Sequence, residues 1–288
     1  MNVTVCELSN DRKEFLEDWR ELQIYLNQNK TDLLLLPEMP FYSWFVNSKE
    51  VSEDVQQKSV EQHQLWLKEV EKLETKYIVY SAPETVGTKF YNTAFVFQKG
   101  KGHRKIHTKA LFPEEDHFWE ESWFDREDNI SFETVQLDDL KIGVLMCTEL
   151  WFTERARHYG KQNADLLLCP RATGKSSVEQ WLIIGRASAI ISGAYCLSSN
   201  RSGQSAEFDW GGTGWIIEPM TGNLLESTTP ERKFVTHSID LKKTAQAKKE
   251  YPLNVNDFMA EMTKSTEVTV NAILPGPTKS RGIERFHK

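Results

Sequence analysis

No apolar run in this 288-residue chain approaches the roughly 20 residues a membrane-spanning helix needs, so no span is expected. The N-terminus, MNVTVCELSN, lacks a basic stretch followed by an apolar one, and no secretory signal is visible. Cysteine is scarce. Cys6, Cys147, Cys169 and Cys196 stand far apart, and a chain of this size needs no disulfide framework; free thiols in a reducing cytoplasm are expected. Positive charge is also short: 35 basic against 42 acidic residues give a net charge of −7, spread along the chain, which argues against a nucleic-acid surface. Histidine is sparse, and His103 and His107 are the one pair at a spacing of four that invites a metal. The segment KGKGHRKIH, however, lacks the apolar helical face and following glutamate of a zinc protease, so it reads as loop or strand. No metal and no cofactor are expected.

What the chain does have is material for a core. Hydrophobic residues make up 39% and charged residues 27%, the balance of an ordinary globular protein, with nine Trp and fifteen Phe. Short apolar runs at 3–7, 32–37, 77–82, 91–98, 141–146, 164–169, 194–199, 214–217 and 234–239 read as strands. Between several of them lie helical patterns. Phe15, Trp19, Leu22 and Leu26 recur on one helical face; Val60, Leu67 and Val70 suggest a helix within 51–75, and 153–162 and 176–192 suggest two more. This alternation predicts an α/β fold. No repeat or linker divides the chain, so one domain is expected over 1–270. Pro275, Gly276 and Pro277 then break regularity ahead of a tail at 271–288, solvated or packed on a partner subunit.

Four of the apolar runs end in a polar group. DLLLLP ends at Glu38, KIGVLM at Cys147, ADLLLCP at Arg171 and AYCLSS at Asn200. Ligands of open α/β sheets bind beyond the carboxyl ends of strands, so this pattern predicts a shared site. Cys147 would sit at a strand-to-helix junction, where following N–H groups can face an oxyanion; an apolar setting raises its pKa, so it needs a base. Taken alone it could equally be a buried structural thiol, as Cys6, Cys169 and Cys196 are expected to be. Glu38 at the mouth of an apolar site suits proton shuttling, or a place in the first turn of a helix.

Taken together, the segments around Glu38, Lys109 and Cys147 resemble the nitrilase, or carbon–nitrogen hydrolase, superfamily over nearly the whole chain. DLLLLPEMPF is similar to the strand ending in the base glutamate, and YNTAFVFQKGK to the strand pair before the lysine. HTKALFPEEDHFWEESWF matches the lysine segment, with Pro113, Phe118 and Glu120 in register with Lys109; Lys105 is the competing choice. IGVLMCTELWFTERAR resembles the nucleophile segment, with an acidic residue two places after the cysteine. ADLLLCPRATG, the helix around Trp181 and Arg186, AYCLSSNRSG and GGTGWIIEPMTGNLL continue the family order. The resemblance implies a four-layer αββα sandwich, commonly dimerised through helices beside the nucleophile. It implies catalysis by Cys147 as nucleophile, Glu38 as base, and Lys109 with the Thr148 N–H as oxyanion donors. Glu120 is the second glutamate, orienting the lysine.

The branch is less defined. Thr148, Glu149 and Leu150 follow the cysteine where true nitrilases carry Trp, Glu and His, so a small amide or carbamoyl substrate is expected over a nitrile. Carbamoyl-amino-acid hydrolases place arginines where this chain has Leu150 and Trp151. Arg171 could bind a substrate carboxylate or form a structural ion pair. Tyr42, Trp44, Trp119 and Trp151 are candidates to line the pocket, or core residues. Two rival readings are a Cys–His hydrolase using His107 or His117, and a non-catalytic binding protein on the same scaffold.

Overall fold

The computed structural model describes residues 1–205 and 208–255. Met1–Leu253 forms one compact unit; Asn254–Lys288 is a second, of which only the first two residues are described. The expected tail at 271–288 therefore lies outside the described residues.

The elements run β1 (Asn2–Ser9), α1 (Arg12–Gln28), β2 (Thr31–Leu35), α2 (Glu53–Glu71), β3 (Thr75–Val86), β4 (Lys89–Gln98), β5 (Gly102–Thr108), α3 (Glu120–Trp123), β6 (Val135–Leu137) and β7 (Leu140–Val144). A 3-10 turn, Cys147–Trp151, leads into α4 (Thr153–Lys161), β8 (Leu166–Arg171), α5 (Val178–Ser192) and β9 (Tyr195–Ser202). A short hairpin, β10 (Gln204–Ser205) and β11 (Phe208–Asp209), precedes β12 (Trp215–Ile217), β13 (Leu224–Ser227), β14 (Phe234–Ser238) and α6 (Lys242–Ala247). Among the described residues no helix is long and apolar enough to cross a membrane.

Strand order is β5-β4-β3-β2-β1-β9-β8-β7-β6, with β14 beside β1 and β12 beside β9. β1 is the pivot. Its first half pairs with β2 and β14, while Glu7, Leu8 and Ser9 pair with β9. The chain thereby divides its strands between two sheets, and the side-chain period of two shows how they stack. Leu33, Leu35, Tyr77 and Val79 from one sheet share a core with Ile142, Leu166, Leu168 and Leu197 from the other. The alternate residues Leu34, Leu36 and Ile78 face Phe15, Trp19, Leu22 and Val70 of α1 and α2. Leu167, Cys169 and Cys196 face Ala156, Tyr159, Trp181 and Ala189 of α4 and α5. Helices, sheet, sheet, helices: the architecture is the αββα sandwich the resemblance implied.

β7, β8, β9, β1, β2 and β3 are mutually parallel, so their carboxyl ends lie along one edge. β5 is antiparallel to β4, which is antiparallel to β3, so its end at Thr108 returns to that edge too. The main chain ties the edge together, with the Glu38 N–H donating to the Arg171 carbonyl at 3.1 Å and the Lys109 N–H to the Asn92 carbonyl at 2.9 Å.

Candidate active site

Four polar side chains meet beyond these strand ends, each with almost no exposure: Glu38, Lys109, Glu120 and Cys147. The Lys109 ammonium donates to Glu38 Oε1 at 2.8 Å and Glu120 Oε2 at 2.5 Å. Burial alone would depress its pKa, but the charges of Glu120 and Glu38 outweigh that and hold it well above the ordinary lysine value. Burial likewise raises Glu120 to about 7, against the pull of Lys109 and with a push from Glu38. Asn92, on β4, also belongs to this cluster, although it ends no apolar run. Its amide donates to Glu38 Oε1 at 2.9 Å and Glu120 Oε1 at 3.3 Å, spacing the two carboxylates. Glu38 Oε2 is left buried with no partner.

Cys147 opens the 3-10 turn with φ at 46°, a left-handed conformation rare for a residue with a side chain. The backbone thus turns sharply at the end of β7, and the Thr148 N–H falls in the first turn, where a helix offers its donors no internal acceptor. The sulfur lies 3.9 Å from the Ala172 carbonyl. Burial pushes the thiol up to about 12, with Glu38 and Glu120 adding to the rise and Lys109 opposing it. A thiol so placed is protonated at rest and needs a base in contact with it to attack anything.

Lys105 lies elsewhere, half-exposed and paired with Glu84 and with Glu127 at 2.9 Å. His103 contacts Tyr80 and Glu71, while His107 contacts Glu149, so the two histidines share no site. His117 packs on Phe208, with ring centroids 5.0 Å apart. The largest charges acting on the Cys147 thiol are those of Glu38, Lys109 and Glu120.

Arg171 departs from expectation. Its guanidinium is fully buried and donates to Ser198 Oγ at 2.7 Å, Thr173 Oγ1 at 2.9 Å and the Thr213 carbonyl at 2.8 Å, while lying 3.9 Å over the Trp215 ring. A substrate carboxylate would have to displace these bonds. Asn200, the last of the four strand-end groups, is likewise spent on Thr173 and the Gly212 carbonyl. Arg201 beside it gathers the carbonyls of Glu38, Met39 and Tyr42, fixing the turn that carries the base.

The aromatic candidates separate. Trp44 is buried, donating to the His117 carbonyl, and shares a cluster with Phe118, Phe208 and Trp210 that also includes Met39 and Ala172, next to Glu38 and Cys147. Tyr42 and Trp119 pack half-buried on its flank, Trp119 beneath the Lys49 ammonium. Trp151 is 44% exposed and sits edge-on to Trp181.

The family described as carbon–nitrogen hydrolase matches residues 2–249. The chain belongs to the carbon–nitrogen hydrolase family. As a member it is an amidase-like hydrolase, and its sandwich superposes on solved relatives of the superfamily. A carbon–nitrogen hydrolase from Helicobacter pylori G27 matches with a TM-score of 0.81 at 21% identity, over 92% of this chain and 98% of that one. Mouse omega-amidase NIT2 is 29% identical over 196 residues, 65% of this carbon–nitrogen hydrolase and 70% of the mouse protein. Nitrilase homolog 2 of Dictyostelium discoideum is 30% identical over 57% of this chain, an alignment that spans about half (52%) of its own length. A 2-oxoglutaramate amidase from Paenarthrobacter nicotinovorans aligns over 94% of both chains at 21% identity.

Proposed function

We propose that this hydrolase cleaves the C–N bond of a small amide or N-carbamoyl compound through a thioester on Cys147. Glu38 Oε2 takes the thiol proton as the sulfur attacks the carbonyl carbon. The oxyanion that forms accepts from the Lys109 ammonium and the Thr148 N–H, and a preorganised donor of this type is worth about 3–4 kcal/mol. Glu38 returns the proton to the leaving nitrogen, and ammonia or an amine departs. Water then attacks the thioester as Glu38 takes its proton, releasing the acid and handing that proton back to the thiol. Glu120 holds Lys109 charged and aimed.

The observation that carries this reading is the fixed triple of Lys109 between two carboxylates, of which only Glu38 keeps an unpartnered oxygen. A binding protein would gain nothing from burying three charges around a strained cysteine. The aromatic cluster beside Met39 and Ala172 supports a compact acyl group with some hydrocarbon, with Trp44, Tyr42 and Trp119 along its path. Trp151 and Ile183 leave apolar surface exposed on the nucleophile turn and α5, which supports a homodimer or higher homo-oligomer joined there. Four free, buried cysteines support a cytoplasmic setting.

The test is ammonia or amine release by Cys147→Ala across ω-amides, carbamoyl amines and carbamoyl amino acids. Turnover should vanish while the wild type accumulates an acyl adduct visible by intact mass. Undiminished turnover by the variant rules the mechanism out.

A further inference from the structure

Glu149, two places after the nucleophile, takes no part in the chemistry above, yet it is fully buried and its carboxylate accepts three hydrogen bonds. Oε2 receives the Met146 N–H at 2.8 Å, Oε1 receives the Ala110 N–H at 2.8 Å, and His107 Nε2 lies 2.7 Å from Oε2. Met146 directly precedes Cys147. Ala110 directly follows Lys109, and His107 stands two residues before it. One carboxylate therefore spans the two backbone segments whose separation sets how the lysine faces the sulfur. In the tautomer that carries its proton on Nε2, His107 donates to this carboxylate. The imidazole is itself seated against Phe132, ring centroids 5.2 Å apart.

We propose that Glu149 and His107 form a positioning clamp that holds the Cys147–Thr148 turn in register with Lys109. The inference rests on the roles given above to Cys147 and Lys109. The oxyanion donors come from two elements far apart in sequence, and the left-handed Cys147 persists only where its surroundings over-determine it. The Met146 and Ala110 bonds supply that determination from one rigid group. Neither clamp residue touches the reacting atoms; the histidine acts through the glutamate, not on the thiol.

The test compares His107→Phe, which fills the site without a donor, with His107→Gln, whose amide can donate to Glu149. Each is assayed on the panel amide that the wild type turns over fastest, with active enzyme counted as Cys147 alkylated by iodoacetamide. A displacement of about 1 Å costs on the order of a hundredfold in rate. His107→Phe should lose about that in kcat per alkylatable Cys147, with KM little changed, and His107→Gln should recover most of it. A purely structural role would lower the melting temperature and the yield of active enzyme but leave kcat per site at the wild-type level. That result, or no recovery in His107→Gln, overturns the clamp. Glu149→Gln puts a donor where an acceptor is needed and should be worse than His107→Phe; if it fails to fold, the two His107 variants, which keep both backbone bonds, still decide. An active Cys147→Ala sinks the mechanism itself, whereas an inactive Cys147→Ala beside an unimpaired His107→Phe sinks only the clamp.

Discussion

Of the four carboxylate oxygens contributed by Glu38 and Glu120, three already carry donors, from Lys109 and Asn92. In the proposed mechanism the proton shuttle therefore falls, by subtraction, to Glu38 Oε2. Asn92 donates to both acids, and a hydrogen bond to a charged group favours the charged form by about 1.5 kcal/mol. That is about one pH unit per bond. Glu120, raised to about 7, should govern the acid limb of kcat/KM, which falls as pH drops below about 7 and that carboxylate gains a proton. Asn92→Leu should move that limb up by about one unit. A limb that stays put or moves down would show that Asn92 does not hold the pair ionised. No second rise is expected between pH 8 and 10, because the thiol is pushed to about 12 and does not ionise by itself there. At this scale the sequence was readable where polar residues ended apolar runs, as with Glu38 and Cys147. It was not readable at Asn92, whose partners lie 54 and 28 residues away. Arg171 misled for the same reason: nothing in ADLLLCPR announces that Ser198, Thr173 and Thr213 will use up its guanidinium.

Among the elements, α1 follows its pattern closely, with Phe15, Trp19, Leu22 and Leu26 all buried. α2 does not. Ser59, His63 and Val70 form its buried face, while Val60 and Leu67 are only partly covered. Polar residues can take that face because His63 bonds the Ser59 carbonyl at 2.7 Å and receives the Phe41 N–H at 3.3 Å. Apolar periodicity cannot foresee a buried pair that satisfies itself. The helices behind the nucleophile depend instead on missing side chains. A Cβ on Gly160 of α4 would lie 2.5 Å from the Ser192 carbonyl oxygen of α5, and one on Gly143 of β7 would lie 2.6 Å from the Tyr159 ring. Backbone cannot yield as a side-chain tip can, so Gly160→Ala must drive α4 off α5. Overpacking of this kind costs about 1–3 kcal/mol. A lower denaturant midpoint is expected, and also a lower kcat, because α4 begins two residues after the nucleophile turn ends. A midpoint equal to wild type would mean the two helices can part freely.

For the whole molecule, alternating strands and helices implied two kinds of layer, but their stacking order rests on β1 changing partners midway, which no local pattern encodes. The molecule's response to acid is also set by groups that periodicity overlooks. His63 is fully buried, and burial, opposed by its bond to Ser59 and reinforced by Arg201, lowers its pKa to about 3. Its Nε2 accepts from Phe41, so a proton there would face another proton. Between the unfolded value of about 6.5 and the folded value of about 3, the unfolded chain binds the extra proton. His63 therefore favours the folded state fully above about 6.5, and that contribution is lost as pH falls through this window, at up to about 1.4 kcal/mol per unit. Glu120 acts in the opposite sense. Its folded pKa is raised, so its contribution to stability grows as pH falls from about 7 toward 4.5. The wild-type profile mixes the two, and a difference measurement separates them. Since Glu120 is common to both proteins, unfolding free energy of wild type minus that of His63→Gln, measured by urea at several values between pH 7.5 and 4.5, should shrink steadily below about 6.5. A difference that stays constant across that range would mean His63 can take up a proton in place, and the turn carrying Glu38 would then owe nothing to its neutrality.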